Sequence, residues 1–203
     1  MTATAPSDPP ADDAAADALP EGGQPWSMRL LADGFDRVAE ALPSTVDSLE
    51  PASILWRPSP AANSIGWLLW HLARVEDDHL TGVAAATGVD VTGAQVWLSE
   101  GWSDRFGLPY PERSIGYGQT AQEVGAFDVA DADLLLGYYA AVHRRTREIL
   151  ASLSEAHLAA VVDERWDPPV TAAVRLVSVL NDITAHYGQV AYLRGLVDQR
   201  SAQ

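Results

Sequence analysis

Hydrophobic residues recur at helical spacing in several separate segments of the chain. In the first segment, the apolar stripe consists of Leu31, Phe35, Val38 and Leu42. Ser27, a residue type that often caps helices, lies before the stripe, and Pro43 follows it directly. Because proline interrupts a helix interior, we predict a first amphipathic helix between these two residues.

The second segment predicts the clearest helix of the front half. Asn63 can cap its start, and Gly88, a common helix terminator, follows Thr87 at its end. Its apolar stripe includes Ile65, Leu68, Leu69, Leu72, Val75 and Val83. Residues 44–60, before this helix, follow no sustained pattern and are predicted to be irregular.

Two more helical segments occupy the second half of the chain. The third runs from about Asp131 to Leu153 and begins with acidic residues, which suit the positive end of a helix dipole. The fourth begins at Thr171, shortly after two prolines, and continues to about Val197. No strand pattern competes with these helices, so we predict an all-α fold, a four-helix bundle.

Residues 88–130 form a long connection between the second and third predicted helices. They are rich in glycine, proline and aromatic residues, and loops of this length are uncommon unless they have a function. Trp97, Trp102 and Phe106, with Arg105 among them, suit a lid over an acidic or planar ligand. The same aromatic residues also suit a loop fixed onto the bundle by packing, and we favour this second interpretation.

The remaining parts of the chain set the domain organisation. Residues 1–24 contain several prolines, five acidic residues and no basic residue, so they have too little apolar surface to order themselves. We predict a disordered acidic leader over residues 1–24 and one bundle domain over residues 25–200. A chain of 203 residues is typical of a single domain.

Charge and composition exclude several function classes. Thirteen basic and 28 acidic side chains give a net charge of −15, which repels nucleic acids and anionic membrane surfaces. No targeting segment or long apolar run is present in the sequence, so we expect a cytoplasmic protein without a membrane partner. The chain has no cysteine, so any thiol chemistry requires an external thiol.

The fourth predicted helix has a second stripe that is polar in its middle. This stripe consists of Arg175, Val179, Asp182, His186, Gln189 and Leu193. Asp182 and His186 are four residues apart, so a carboxylate and an imidazole lie on one helix face and can bind a common divalent metal ion. The same spacing is also typical of a simple surface pair, and spacing alone does not distinguish the two interpretations.

A metal site needs a third ligand, which we expect on a facing helix. The second helix offers His71 and His79, and their spacing does not choose between them. His79 lies on the main apolar stripe and His71 at its edge, so position alone slightly favours His79 as the more buried residue. Gln189 is interpreted either as a hydrogen-bond partner of a ligand or as an ordinary amide on the bundle face.

Two motifs carry a resemblance to a known family. The segment NSIGWLLWHLARVE, residues 63–76, followed by DITAHYGQ, residues 182–189, resembles the DinB-like superfamily of four-helix metalloproteins. The resemblance covers about residues 27–197. It implies that His71, not His79, joins Asp182 and His186 in one divalent metal site, with zinc or nickel as the expected ion.

The resemblance also implies a function. The superfamily includes mycothiol-dependent maleylpyruvate isomerase, whose late metal-binding pair begins with a carboxylate, as Asp182 does here. We therefore expect a metal-dependent transferase or isomerase that acts on a small molecule and uses an external thiol such as mycothiol. The alternative is a metal-binding or stress-response bundle protein without catalysis. A homodimer is a further expectation from the family, and no residue is assigned a catalytic role.

Overall fold

The structure is a computed structural model that describes residues 23–89 and 94–201. Its long helices are α1 (Trp26–Val46), α3 (Ile65–Thr87), α7 (Ala132–Ser152) and α8 (Ala172–Ser201). Its short helices are α2 (Pro51–Ile54), α4 (Val96–Ser99), α5 (Trp102–Phe106) and α6 (Ala121–Gly125). The leader predicted over residues 1–24 lies outside the described residues except for its last two.

The four long helices form a bundle around one core. Both α1 and α3 pack against α7 and α8, which places α1 and α3 at opposite corners. The apolar stripes meet in the middle, where side chains such as Phe35, Leu68, Tyr138 and Leu176 are fully buried. The predicted all-α four-helix bundle is therefore confirmed.

The first helix differs from its prediction at both ends. It begins at Trp26 rather than at Ser27, and it continues through Pro43 to Val46. Pro43 has no N–H to donate to the carbonyl four residues before it, but the turn that follows it still buries Val46 in the core. The prediction that Pro43 ends the helix was wrong.

A side chain from α8 supports the end of α1. Arg194 donates hydrogen bonds to the backbone carbonyls of Thr45 at 3.1 Å and Asp47 at 2.6 Å. Carbonyls at a helix end have no partner within the helix, so this arginine satisfies groups that would otherwise need water. Arg194 therefore fastens α1 to α8.

The second predicted helix corresponds to α3. Its cap is Ser64 rather than Asn63, because the Ser64 hydroxyl accepts a hydrogen bond from the backbone N–H of Trp67 at 3.2 Å. It ends at Thr87, as predicted, and Gly88 follows with a left-handed φ of 70°. Almost every side chain from residue 64 to residue 77 is buried, so this half of α3 lies in the centre of the protein.

Residues between α7 and α8 contain strands that the sequence pattern did not predict. A 3₁₀ helix, Glu155–Ala159, is followed by an antiparallel pair, β1 (Val161–Asp163) and β2 (Val170–Thr171). Strands of two or three residues are too short to show the alternation that identifies a strand in a sequence. The expectation that no strand forms was wrong for this hairpin.

The long connection packs firmly onto the bundle. Trp97, Trp102 and Phe106 surround Tyr138 of α7, with ring centroids 5.1, 5.6 and 5.7 Å from the tyrosine ring. The guanidinium of Arg105 lies over Trp102, 3.8 Å from its ring centroid. The structure thus agrees with a loop fixed by aromatic packing. Among the described residues, no helix is both long enough and apolar enough to cross a membrane.

Candidate metal centre

Helices α3 and α8 bring the three predicted ligands together. His71 lies on α3, whereas Asp182 and His186 lie one turn apart on α8. One potential ligand atom from each side chain lies within 4.8 Å of the other two. We use the name metal centre for these three residues as a candidate site. They meet because α3 and α8 pack along each other over much of their length.

Within the metal centre, the side chains lie close without bonding one another. The rings of His71 and His186 meet edge to face, with centroids 4.8 Å apart. His186 Nε2 lies 3.7 Å from Asp182 Oδ1, which is longer than a hydrogen bond. The donor atoms thus surround a small common space instead of pairing with one another.

The backbone of the long connection fixes the tautomer of His71. The ring nitrogen Nδ1 of His71 is hydrogen-bonded to the backbone carbonyl of Ile115. A carbonyl only accepts, so Nδ1 carries the proton and Nε2 keeps a free lone pair for a ligand bond. Burial lowers the pKa of His71, against the opposing effect of the Ile115 carbonyl, and this favours the neutral ring that a metal requires.

Close packing holds the His71 ring in this orientation. The ring stacks on Trp67, with centroids 4.6 Å apart, and only 6% of the residue is exposed. At the Nδ1 edge of the ring, Gly116 approaches so closely that a Cβ there would lie 2.7 Å from His71 Nδ1. Gly116 also has a φ of 85°, a conformation that side chains disfavour. Only glycine fits this position.

A buried arginine fastens the long connection to the bundle. Arg74 of α3 is fully buried and donates hydrogen bonds to the Ser114 carbonyl at 3.1 Å and to Gln95 Oε1 at 2.9 Å. It also lies 3.3 Å from both Asp77 Oδ2 and the Tyr138 hydroxyl. Ser114 directly precedes Ile115, so Arg74 helps to position the carbonyl that contacts His71.

Asp77, beside Arg74, accepts hydrogen bonds from the long connection and from α7. Its carboxylate accepts hydrogen bonds from the backbone N–H groups of Val96 and Trp97, each at 2.8 Å. The Tyr138 hydroxyl donates to it at 3.0 Å. We call Arg74, Asp77, Gln95 and Tyr138 the anchor cluster. Sequence reasoning missed it, although two charged residues three apart inside an apolar segment were a usable signal.

The two candidate ligands on α8 are more exposed than His71. The Asp182 side chain is 37% exposed and the His186 side chain is 18% exposed. Gln189 Oε1 lies 3.3 Å from His186 Nδ1, so the amide oxygen can accept the Nδ1 proton and leave Nε2 free. This contact matches the first of the two interpretations of Gln189.

The donor set fits a divalent metal ion. Asp182 Oδ2 is buried, yet it has no hydrogen-bond partner among the described residues. A buried carboxylate oxygen without a partner is costly, and a cation would relieve that cost. Two imidazole nitrogens and one carboxylate oxygen are ligands that zinc and nickel accept in proteins.

The other histidines have different surroundings. His79, two turns beyond His71 on α3, lies 3.4 Å from Asp78 and is partly exposed. The expectation that His79 is the more buried of the two was wrong, because the long connection covers His71. His143 pairs with a carboxylate of α1 at 3.0 Å, and His157 accepts a hydrogen bond from the backbone before it.

A further carboxyl lies in the core, away from the metal centre. Glu76 of α3 is fully buried and accepts a hydrogen bond from the Thr146 hydroxyl of α7 at 2.6 Å. Its second oxygen makes no hydrogen bond of normal geometry among the described residues, although the buried Tyr139 hydroxyl lies near it. Burial raises the pKa of Glu76 to about 7, and this exceeds the opposing effects of the Thr146 and Tyr139 hydroxyls.

Comparison with known proteins identifies the family. The model of the DinB superfamily matches residues 34–190. A conserved protein from Enterococcus faecalis, known from a crystal structure, is 34% identical, with a TM-score of 0.74 over 85% of this chain and 97% of that one. No curated protein matches the chain with significance. Because the family model spans most of the chain and agrees with the fold, the protein belongs to the DinB superfamily.

Proposed function

We propose that this protein binds one divalent metal ion through His71, Asp182 and His186, and that the site is catalytic. The observation that carries the proposal is the buried, unpartnered oxygen of Asp182 beside two imidazoles. Native proteins rarely leave such an atom without a partner. The orientation of His71 by the Ile115 carbonyl and of His186 by Gln189 gives further support.

The openness of the site supports catalysis over a purely structural role. Structural zinc sites are closed by four protein ligands, whereas catalytic sites keep a position for water or substrate. Here the protein offers three ligands, and the partial exposure of Asp182 leaves one side of the metal centre accessible. A divalent ion bound there supplies Lewis acidity, which lowers the pKa of a thiol or a water molecule and polarises a substrate oxygen.

The reaction class that we propose is thiol-dependent transfer or isomerisation of a small molecule. The chain has no cysteine, so the thiol must be an external compound such as mycothiol. The resemblance of the two motifs to the maleylpyruvate isomerase type supports this class. The chain's own residues hold the His71 imidazole neutral and orient both imidazoles, and the net charge of −15 favours a small-molecule substrate over a nucleic acid.

Metal stoichiometry tests the site. Elemental analysis after reconstitution with zinc or nickel should give one ion per chain for the parent protein and little for His71→Ala or His186→Ala. The matched control is His79→Ala, the same substitution on the same helix, which should retain the ion. Absence of stoichiometric metal in the parent protein, or equal loss in His79→Ala, would contradict the proposal.

Cobalt substitution tests the thiol. In the cobalt-loaded protein, mycothiol should produce an absorption band typical of sulfur bound to cobalt, and His186→Ala should not show it. Unchanged spectra at millimolar mycothiol, with metal bound, would exclude the thiol-dependent reaction. That outcome would favour the alternative of a metal-binding protein without thiol chemistry.

A further inference from the structure

Two buried tryptophans precede His71 on α3, and their indole N–H groups have different surroundings. Trp67 Nε1 donates a hydrogen bond to Gln119 Oε1 at 2.8 Å. Trp70 Nε1 has no acceptor in the part of the chain that the structure describes. Gln119 therefore binds the tryptophan whose ring stacks on His71.

The stacking between Trp67 and His71 restricts the imidazole. The two rings are nearly parallel, with an interplanar angle of 19° and centroids 4.6 Å apart. An imidazole that lies face to face with an indole cannot turn about its Cβ–Cγ bond without losing this contact. The orientation of Trp67 thus helps to set the orientation of His71, and with it the direction of the Nε2 lone pair.

Gln119 ends the same short turn that contacts His71. Its backbone N–H donates to the Gly116 carbonyl at 3.3 Å, which closes the turn. The tip of the turn lies in solvent: Tyr117 is 90% exposed, and no atom of the described residues packs within 4 Å of a Cβ placed on Gly118. The turn is therefore attached to α3 at its start, beside His71, and at its end, through the Gln119 side chain.

We propose that Gln119 and Trp67 are positioning residues of the metal centre. Gln119 fixes the Trp67 ring through its N–H, and Trp67 holds His71 with the Nε2 lone pair directed into the site. The inference rests on the proposed function, because it assigns two further residues to the same metal-binding site. Groups that orient a metal ligand in this way commonly affect metal affinity although they never contact the ion.

The stacking also has an electrostatic effect. The imidazole of a metal-bound histidine carries part of the positive charge of the ion, and the electron-rich face of an indole attracts such a charge. Hydrogen bonds polarise the groups that form them, so the bond from Trp67 to Gln119 increases the electron density of the indole ring. The same contact therefore favours the metal-bound state over the metal-free state.

Exchange of the His71 ring proton tests the positioning in metal-free, full-length protein. In Gln119→Ala, the proton on His71 Nδ1 should exchange with water at least about fivefold faster, as measured by nuclear magnetic resonance, because the ring leaves the Ile115 carbonyl more often. Gln122→Ala, the same substitution at an exposed position of α6, should stay within about twofold of the parent protein. Gln119→Glu keeps an acceptor oxygen and should do the same. Equal rates in Gln119→Ala and the parent protein would overturn the inference.

Zinc affinity tests whether Gln119 acts through Trp67. Measured by competition with a chelating dye, the affinity should fall about 3–10-fold in Gln119→Ala and about 10–100-fold in Trp67→Phe, which loses the N–H and part of the stacking surface. The double variant should bind zinc no more weakly than Trp67→Phe alone, because the second substitution then removes an acceptor that has no donor. Effects that multiply in the double variant would refute this path.

Trp70→Phe is the matched control for Trp67→Phe. It replaces a buried indole on the same helix, so it costs packing in the core, but the N–H that it removes has no acceptor among the described residues. Zinc affinity should fall less than about threefold. Equal zinc affinity of the two variants would mean that Trp67 has a packing role alone, and it would overturn the inference.

The two measurements separate this inference from the proposed function. If zinc does not bind to the parent protein while Gln119→Ala accelerates the exchange of the His71 ring proton, the proposed function fails and the positioning of His71 stands. If zinc binds stoichiometrically and Gln119→Ala matches Gln122→Ala in both measurements, the inference fails and the proposed function stands.

Discussion

Helix α3 carries two polar clusters about one turn apart, and they differ in how completely their atoms are paired. In the anchor cluster, the nitrogens of Arg74 and both oxygens of Asp77 are buried and hydrogen-bonded. In the metal centre, Asp182 Oδ2 is buried without a hydrogen-bond partner in the part of the chain that the structure describes, and the three side chains do not bond one another.

This difference fits a structural role for the anchor cluster and the functional role that we propose for the metal centre. A fully satisfied buried network rigidifies the fold, whereas a partly satisfied one retains interaction capacity for a ligand. Here the anchor cluster supports the metal centre, because Arg74 positions the segment that contacts His71. A rigid network beside an incomplete one is a common way to hold a site in its working geometry.

The largest effect is expected from Asp77→Asn in the anchor cluster. The amide replaces an acceptor oxygen with a donor that faces existing donors and leaves Arg74 without its buried counter-charge. The free energy of unfolding should fall by about 3–5 kcal/mol, as measured by urea denaturation. Asp33→Asn, at an exposed pair with Arg37, is the control and should cost less than about 0.5 kcal/mol. A cost below about 1 kcal/mol for Asp77→Asn would contradict the structural role of the anchor cluster.

Glu76 is an intermediate case, because one of its oxygens is hydrogen-bonded to Thr146, whereas the other lies near the Tyr139 hydroxyl but makes no hydrogen bond of normal geometry among the described residues. Its pKa rises from 4.5 to about 7 on folding, so the folded state holds the proton more tightly. The stability that Glu76 contributes is fully present below pH 4.5 and is lost as the pH rises through about 7. Between these limits the loss amounts to about 3 kcal/mol.

Glu76→Gln tests this pH dependence. Relative to the variant, the parent protein should lose stability between about pH 5 and about pH 8, as measured by urea denaturation at each pH. Glu40→Gln, at an exposed position of α1, serves as the control. A difference between parent and Glu76→Gln that does not change with pH would show that Glu76 ionises normally.

Gly116→Ala tests whether the loop backbone positions His71. The new Cβ would lie 2.7 Å from the imidazole, so the free energy of unfolding should fall by about 2–3 kcal/mol and metal affinity by about 10–100-fold. Gly118→Ala is a matched control: its φ is also positive, at 73°, but nothing lies within 4 Å of the added carbon. It should cost about 1 kcal/mol and leave metal affinity unchanged. Equal effects of the two substitutions would argue against positioning by the loop.

The smallest effect on stability is expected from Asp182→Asn. The substitution matches Asp77→Asn, but it removes the charge from a carboxylate that lacks a hydrogen-bond partner at one oxygen. In metal-free protein the free energy of unfolding should change by less than about 0.5 kcal/mol, or rise, while metal binding is lost. A cost above about 2 kcal/mol would mean that Asp182 is structural after all.

Periodicity predicted the parts of the fold that bury a regular stripe. The four long helices follow from apolar residues that recur every three or four positions, and this signal depends only on neighbours in the sequence. It failed at Pro43, because the turn beyond this proline buries Val46 in the core and so continues the helix. It also failed at the hairpin, whose strands are too short to show a period.

The candidate site was predictable only in part. The spacing of Asp182 and His186 was visible on one helix, but the choice of His71 over His79 required the family resemblance. Periodicity shows which residues face the bundle, yet it carries no information about a loop that covers them. The contact between His71 and Ile115 joins residues 44 positions apart, and the anchor cluster joins α3 to α7, so neither could be found from local patterns.

The acceptor that orients His71 is a main-chain oxygen, and this has a genetic consequence. Every amino acid at position 115 provides the same carbonyl, so no side-chain replacement there can delete it. Position 116 is sensitive to every replacement, because the Cβ of any residue other than glycine would clash with the imidazole. In a saturation-mutagenesis screen for loss of the metal, position 115 should therefore tolerate many codons, whereas position 116 should tolerate almost none.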